Sequence, residues 1–167
     1  MLRDNHYDQA FEEFLREVRT PYVVVDETRR ALLQDASLKS MDFIVYSSRA
    51  ENLLVDVKGR RFPSGNGPGH RWENWTTEED ISSLLRWQQV FGSGFRALLV
   101  FAYNVVDQKA AQGFRDLFKF RDRQYAFFGI WVDEYSRSMR ARSASWNTVW
   151  LPSQQFHALR APIQNFL

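Results

Sequence analysis

The chain has 167 residues, 44% of them hydrophobic and 16% aromatic, which is enough for one domain with a substantial core and too apolar for a disordered protein. It has no cysteine, which excludes a disulfide framework and thiolate metal sites and fits a reducing, cytoplasmic setting. The net charge is only +2 although the isoelectric point is near 9.0, compatible with a nucleic-acid partner but without the footprint of a dedicated binder.

The opening residues, MLRDNHYDQAFEEF, lack the apolar core of a signal peptide, and the longest strongly apolar run, residues 97–103, is too short to span a bilayer. No membrane association is expected. Residues 5–19 place Tyr7, Ala10, Phe11, Phe14, Leu15 and Val18 at helical spacing, which predicts an amphipathic first helix with Asp8, Glu12, Glu13 and Glu17 on its polar side. Pro21 ends it, residues 22–25 read as a strand, and residues 26–40 read as an irregular or briefly helical link.

Residues 41–58, MDFIVYSSRAENLLVDVK, carry two apolar runs around a polar turn and predict a hairpin. Pairing about the centre of that turn sets Ile44 opposite Leu54 and Asp42 opposite Asp56. Alternation puts Lys58 on the Asp56 face and Phe43, Val45, Val55 and Val57 on the other. Opposed residues have Cβ atoms about 4.5–5.5 Å apart, so the two carboxylates repel unless a cation sits between them. A hard divalent ion suits such a pair, because Mg²⁺ is commonly held by one or two carboxylates and keeps waters and phosphate oxygens as its other ligands. The competing reading is a solvent-exposed strand end, with Asp56 paired to Lys58 or Arg60.

The stretch GRRFPSGNGPGHRWENW after Lys58 predicts a long loop, either a tolerated insertion or one whose Arg60, Arg61 and Arg71 touch a nucleic-acid backbone. It contains neither a P-loop nor a dinucleotide fingerprint. A second helix is expected from Thr76, with Glu79 in capping-box position, an apolar stripe through Ile81, Leu84, Leu85, Gln88 and Phe91, and Gly92 as its stop. Residues 95–103, FRALLVFAY, read as a strand covered on both faces, so the helix before it is a crossover on a mixed sheet. Further on, residues 117–120 and 125–132 predict two strands, 133–140 a short helix, 146–151 a strand and 154–159 a last helix. Trp131, Trp146 and Trp150 lie among arginines in this part, either as core residues or as a stacking platform for bases.

Asp42, followed by Asp56-Val57-Lys58 at the end of the next apolar strand, resembles the PD-(D/E)XK signature of the restriction-endonuclease-like superfamily, which includes restriction enzymes, archaeal Holliday-junction resolvases and repair nucleases. Met41 stands where the motif has proline, and a second Asp-x-Lys, at Asp107 and Lys109, lies outside any comparable hairpin. The resemblance implies an α/β fold with a central mixed β-sheet flanked by helices in αβββαβ order, extended here by C-terminal strands and a helix, in one nuclease-like domain over residues 1–167. It implies that Asp42 and Asp56 bind Mg²⁺ or Mn²⁺ and that Lys58 positions the attacking water. A first-helix acid often joins the metal site in this family, and Glu12, bordering the apolar stripe, is the expected one, unless it belongs to an ordinary solvated face. In some members a glutamine on the crossover helix, here Gln88 or Gln89, also approaches the site.

Histidines 6, 70 and 157 lack zinc-ligand spacing, and no Gly-x-Ser-x-Gly elbow is present. The function expected is therefore a metal-dependent deoxyribonuclease with DNA as partner, and cutting of both strands favours a homodimer. The alternative is a catalytically inactive nuclease-fold module that binds nucleic acid or a protein.

Overall fold

A computed structural model describes residues 5–26, 28–33, 36–65 and 72–167. Asn5 opens helix α1, His6–Glu17, by accepting a hydrogen bond from the Tyr7 N–H on its side chain. Strand β1, Tyr22–Val24, follows Pro21. In place of the irregular link expected next, β2 (Arg30–Leu33) and β3 (Ala36–Lys39) form an antiparallel hairpin. Its far end is docked by tertiary hydrogen bonds, the Lys39 N–H to Ser83 Oγ at 3.2 Å and Trp87 Nε1–H to the Lys39 carbonyl at 2.7 Å, which override a weak local preference.

The expected hairpin follows as β4 (Phe43–Val45) and β5 (Asn52–Phe62), with Phe43 opposite Val55, Ile44 opposite Leu54 and Val45 opposite Leu53. Strand β5 runs past Lys58, where the sequence predicts loop. Gly59 permits this, since a Cβ there would stand 2.1 Å from the Tyr7 ring of α1. Residues 66–71 of the expected loop, Arg71 among them, lie outside the described residues. Two residues of β6, Thr76–Thr77, then lead into α2, Glu78–Phe91. The capping box is Thr77 with Asp80, one position later than Thr76 with Glu79, because Thr77 is also held extended, paired opposite Thr148, and so cannot be the first helical residue. Gly92, with φ 79°, closes the helix as its sequence predicts.

The chain continues through β7 (Phe95–Val105), α3 (Gln108–Ala111), β8 (Phe118–Phe120), β9 (Arg123–Trp131), α4 (Val132–Ser138), β10 (Arg140–Ser143), β11 (Thr148–Trp150), α5 (Ser153–Leu159) and β12 (Ala161–Pro162), and ends in a 3-10 turn at Ile163–Asn165. Among the described residues, the main sheet runs β1-β4-β5-β7-β9-β12 with β8 added on β9, and only β5 and β7 pair in parallel. A small second sheet has the order β10-β11-β6.

The continuous apolar run of β7 is buried on both faces, as its composition requires. Leu99, Phe101 and Tyr103 meet Ile81 and Leu84 of α2, Tyr135 of α4 and Phe156 of α5. Leu98, Val100 and Ala102 belong to the other core, with Phe11, Phe14 and Leu15 of α1 and with Phe43, Val45, Val55 and Val57. Helices thus flank a central mixed sheet on both sides. Among the described residues no helix is long and apolar enough to cross a membrane.

Candidate active site

Asp42 immediately precedes β4, just beyond the ladder pairing that ends at Phe43 and Val55; its backbone N–H donates to the Val55 carbonyl at 2.9 Å, one residue out of the regular register, and its side chain reaches Asp56. Its carboxylate is 5% exposed and accepts the Val57 N–H on Oδ2 at 2.7 Å, which fixes its orientation. Asp56 and Lys58 occupy alternate positions of β5 on the same face, and Lys58 Nζ lies 2.9 Å from Asp56 Oδ2. Their side chains are only 13% and 19% exposed, which rules out the solvated strand-end pair.

The lysine reaches a second carboxylate. Lys58 Nζ donates to Asp80 Oδ2 at 2.8 Å, while Lys39 Nζ donates to Asp80 Oδ1 at 2.8 Å and the Thr76 hydroxyl donates to Oδ2 at 2.9 Å. Asp80 is the third residue of α2, where the capping box turns its side chain back toward the N-terminus. Asp80 and Lys39 were not foreseen from the sequence. A signal for Asp80 was present, since Thr77-Glu78-Glu79-Asp80 is itself a capping-box frame. Lys39 had none, because it is delivered by a hairpin whose placement depends on α2.

Electrostatics set these groups apart. Burial pushes the Asp56 carboxyl up to about 8, the neighbouring Asp42 and Asp80 carboxylates and a hydrogen bond with Asp42 push the same way, and Lys58 pulls against them. Burial opposes the charge on Lys58, yet Asp56 and Asp80 together hold the ammonium above the ordinary lysine range. Burial also opposes the charge on Asp80, but Lys58, Lys39 and Thr77 keep it well below the usual carboxylate range. Asp80 is thus a committed anion and Lys58 a committed cation, while Asp56 favours a proton near neutrality.

That imbalance fits a divalent cation. Asp42 and Asp56 are hard oxygen donors held together, and positive charge beside them would replace the proton that Asp56 otherwise favours. Among the described residues no group of three or more histidine or acidic side chains is arranged to hold a metal.

Glu12 is not brought to the pair. Its Oε1 accepts from Arg16 Nη2 and from the Tyr22 hydroxyl, both at 2.9 Å, and Tyr22 pairs with Val45, at the end of β4 far from Asp42. The helical spacing placed Glu12 correctly at the stripe border, but the border turns toward β1, and the buried acid of α1 is Asp8. Gln88 also stays away, its amide oxygen accepting the Ala97 N–H at 2.8 Å at the start of β7. Arg60 shares the Lys58 face but donates to the Gly59 carbonyl at 2.7 Å and to the Trp75 carbonyl, with its guanidinium 4.1 Å from the centre of the Trp75 ring. It clamps Trp75 rather than standing free for a phosphate. Arg61 is exposed on β5, and Arg71 is outside the described residues.

No protein-family model matches the sequence, and no curated protein matches it. Among solved structures, Hjc of Archaeoglobus fulgidus, described as a Holliday junction resolvase from an archaeal hyperthermophile, is similar with a TM-score of 0.56. The similarity covers 96% of this chain and 96% of that one at 11% identity, which is a likeness of fold: a central mixed sheet flanked by helices.

Proposed function

We propose that this chain is a divalent-cation-dependent nuclease that hydrolyses DNA phosphodiester bonds at Asp42, Asp56 and Lys58, residues 1–167 acting as one nuclease-like domain. The observation that carries this reading is the cluster on one face of the β4–β5 hairpin: Asp42 hydrogen-bonded to Asp56, and Asp56 2.9 Å from a buried lysine ammonium. The fold shared with a protein described as a Holliday junction resolvase supports it, because that protein acts on a DNA junction.

Asp42 and Asp56 would hold Mg²⁺ or Mn²⁺. When bound, such an ion supplies Lewis acidity toward a phosphate oxygen and a water of lowered pKa. The chain's own groups do the rest. The Val57 N–H keeps Asp42 turned toward Asp56. Lys58, with two of its three N–H groups held by Asp56 and Asp80, would give the third to the attacking water, and its positive charge would stabilise the charge that grows in the transition state. Asp80 and Lys39 position that ammonium and touch no reacting atom.

The test is cleavage of labelled single-stranded, duplex, flap and four-way-junction DNA with Mg²⁺ or Mn²⁺, beside EDTA and Lys58→Ala controls. Metal-dependent cutting that the substitution abolishes is expected. Binding without cutting under every metal condition would overturn it in favour of a non-catalytic nucleic-acid-binding module.

A further inference from the structure

The net charge of +2 is unevenly spread. Residues 135–167 carry Arg137, Arg140, Arg142 and Arg160 and no acid at all, so the rest of the chain is net acidic. The β10–β11 hairpin lies in this basic segment. It is pinned beside the candidate site, since β11 pairs with Thr76 and Thr77 and the Asn147 carbonyl accepts the Glu78 N–H at 2.8 Å, two residues before Asp80.

Where the hairpin meets the approach to α2, Trp75, Trp150, Arg142 and Glu73 line a cavity of about 380 Å³, within the usual range for sites that take small organic groups. Trp150 is 37% exposed, and the Arg142 guanidinium lies 5.0 Å from the Trp75 ring centre. The Glu73 carboxylate accepts from Trp75 Nε1 at 3.2 Å. A carboxylate in the wall disfavours a phosphate, whereas indole and guanidinium surfaces favour a flat, neutral, π-bearing group. The cavity is tied to the charged cluster on two sides. Arg60, two residues beyond Lys58 on the same strand face, donates to the Trp75 carbonyl, and Thr76 donates to Asp80.

We propose that this cavity is a slot for one unpaired nucleobase of a DNA substrate, packed against Trp150 and Arg142 next to the scissile phosphate. The proposal deepens the nuclease reading and rests on it for the choice of DNA. The slot selects DNA in which a base is already free to leave the stack, as at a branch, bulge or flap, over continuous duplex. Arg137 and Arg140, both outside the slot, remain for the backbone.

Binding is measured by anisotropy in EDTA, so that no cutting is needed, with three fluorescein-labelled DNAs: a duplex bearing one unpaired nucleotide, the same DNA with that nucleotide abasic, and a continuous duplex. The wild-type chain is expected to bind the unpaired base about tenfold more tightly than the abasic site, the size of one base stacked on an aromatic side chain. Trp150→Ala should erase that difference and leave duplex binding unchanged, and Trp150→Phe should keep most of it. Trp146→Ala, at the hairpin tip and outside the slot, should keep all of it. Equal binding of base and abasic DNA by the wild type would overturn the slot, whatever the variants do, and so would a Trp150→Ala chain that still discriminates. Base discrimination without cleavage would sink only the nuclease reading, and cleavage without discrimination only the slot.

Discussion

The two faces of strand β5 are opposite in character, one packed into apolar core and the other carrying charge. Val55 and Val57 point into a wholly apolar core with Phe11, Phe14 and Phe43, while Asp56, Lys58 and Arg60, their immediate neighbours in sequence, form a charged row on the other side. A strand that alternates in this way keeps scaffold and chemistry on separate faces. The apolar face offsets the cost of keeping partly desolvated charges on the other, so mutations on the two faces should fail differently.

The largest expected effect is on the apolar face. Phe11→Ala removes a fully buried ring and should cost about 3–5 kcal/mol of stability in a denaturant titration. Lys58→Ala should act on the other quantity, slowing cleavage by about 10²–10³-fold, as loss of one preorganised donor does elsewhere. If it unfolded the chain instead, the separation of faces would be wrong.

Asp80→Asn sharpens the comparison. It weakens the grip on Lys58 without touching the acid pair, and should slow cleavage about ten- to one-hundred-fold, the usual loss for a residue that orients a ligating or reacting group. Thr77→Ala is its control, costing about 1 kcal/mol of cap stability while leaving the Lys58–Asp80 contact in place.

The most gradual effect expected is a pH dependence of metal-free stability, about a few degrees in melting midpoint per pH unit. Folded Asp56 keeps its proton up to about pH 8, whereas the unfolded chain releases it near its ordinary value of 3.8. The native state therefore binds more protons between those limits, and stability should fall as pH rises through them. Asp80, lowered in the fold, works the other way and only on the acid side of its ordinary value. Asp56→Asn should flatten the slope above pH 5, and a slope that survives the substitution would assign it to another group.

Much of this architecture was legible where local signals were strong. The periodicity of α1, the apolar run of β7, the Gly92 stop and the register of the β4–β5 hairpin all follow from spacing and turn chemistry, and that register brings Asp42 near Asp56, although Asp42 itself sits one residue out of step, its N–H on the Val55 carbonyl. What was not legible depends on contacts distant in sequence. The β2–β3 hairpin takes its place from Ser83 and Trp87, and β5 continues beyond Gly59 because Tyr7 packs there. The direction in which Glu12 turns is settled by Tyr22, and the role of Asp80 by a one-residue shift in a cap that two threonines could have made.

The most direct test of the central claim compares the wild-type chain with Asp56→Asn in single-turnover cleavage of a four-way-junction DNA at saturating Mn²⁺. Asparagine is close in shape to the protonated Asp56 that the metal-free fold favours, so the variant should keep its circular dichroism and melting midpoint. The account predicts a loss of cleavage of at least about 100-fold, because a metal-binding carboxylate is gone while the fold remains. Cleavage at the wild-type rate by the folded variant would contradict it.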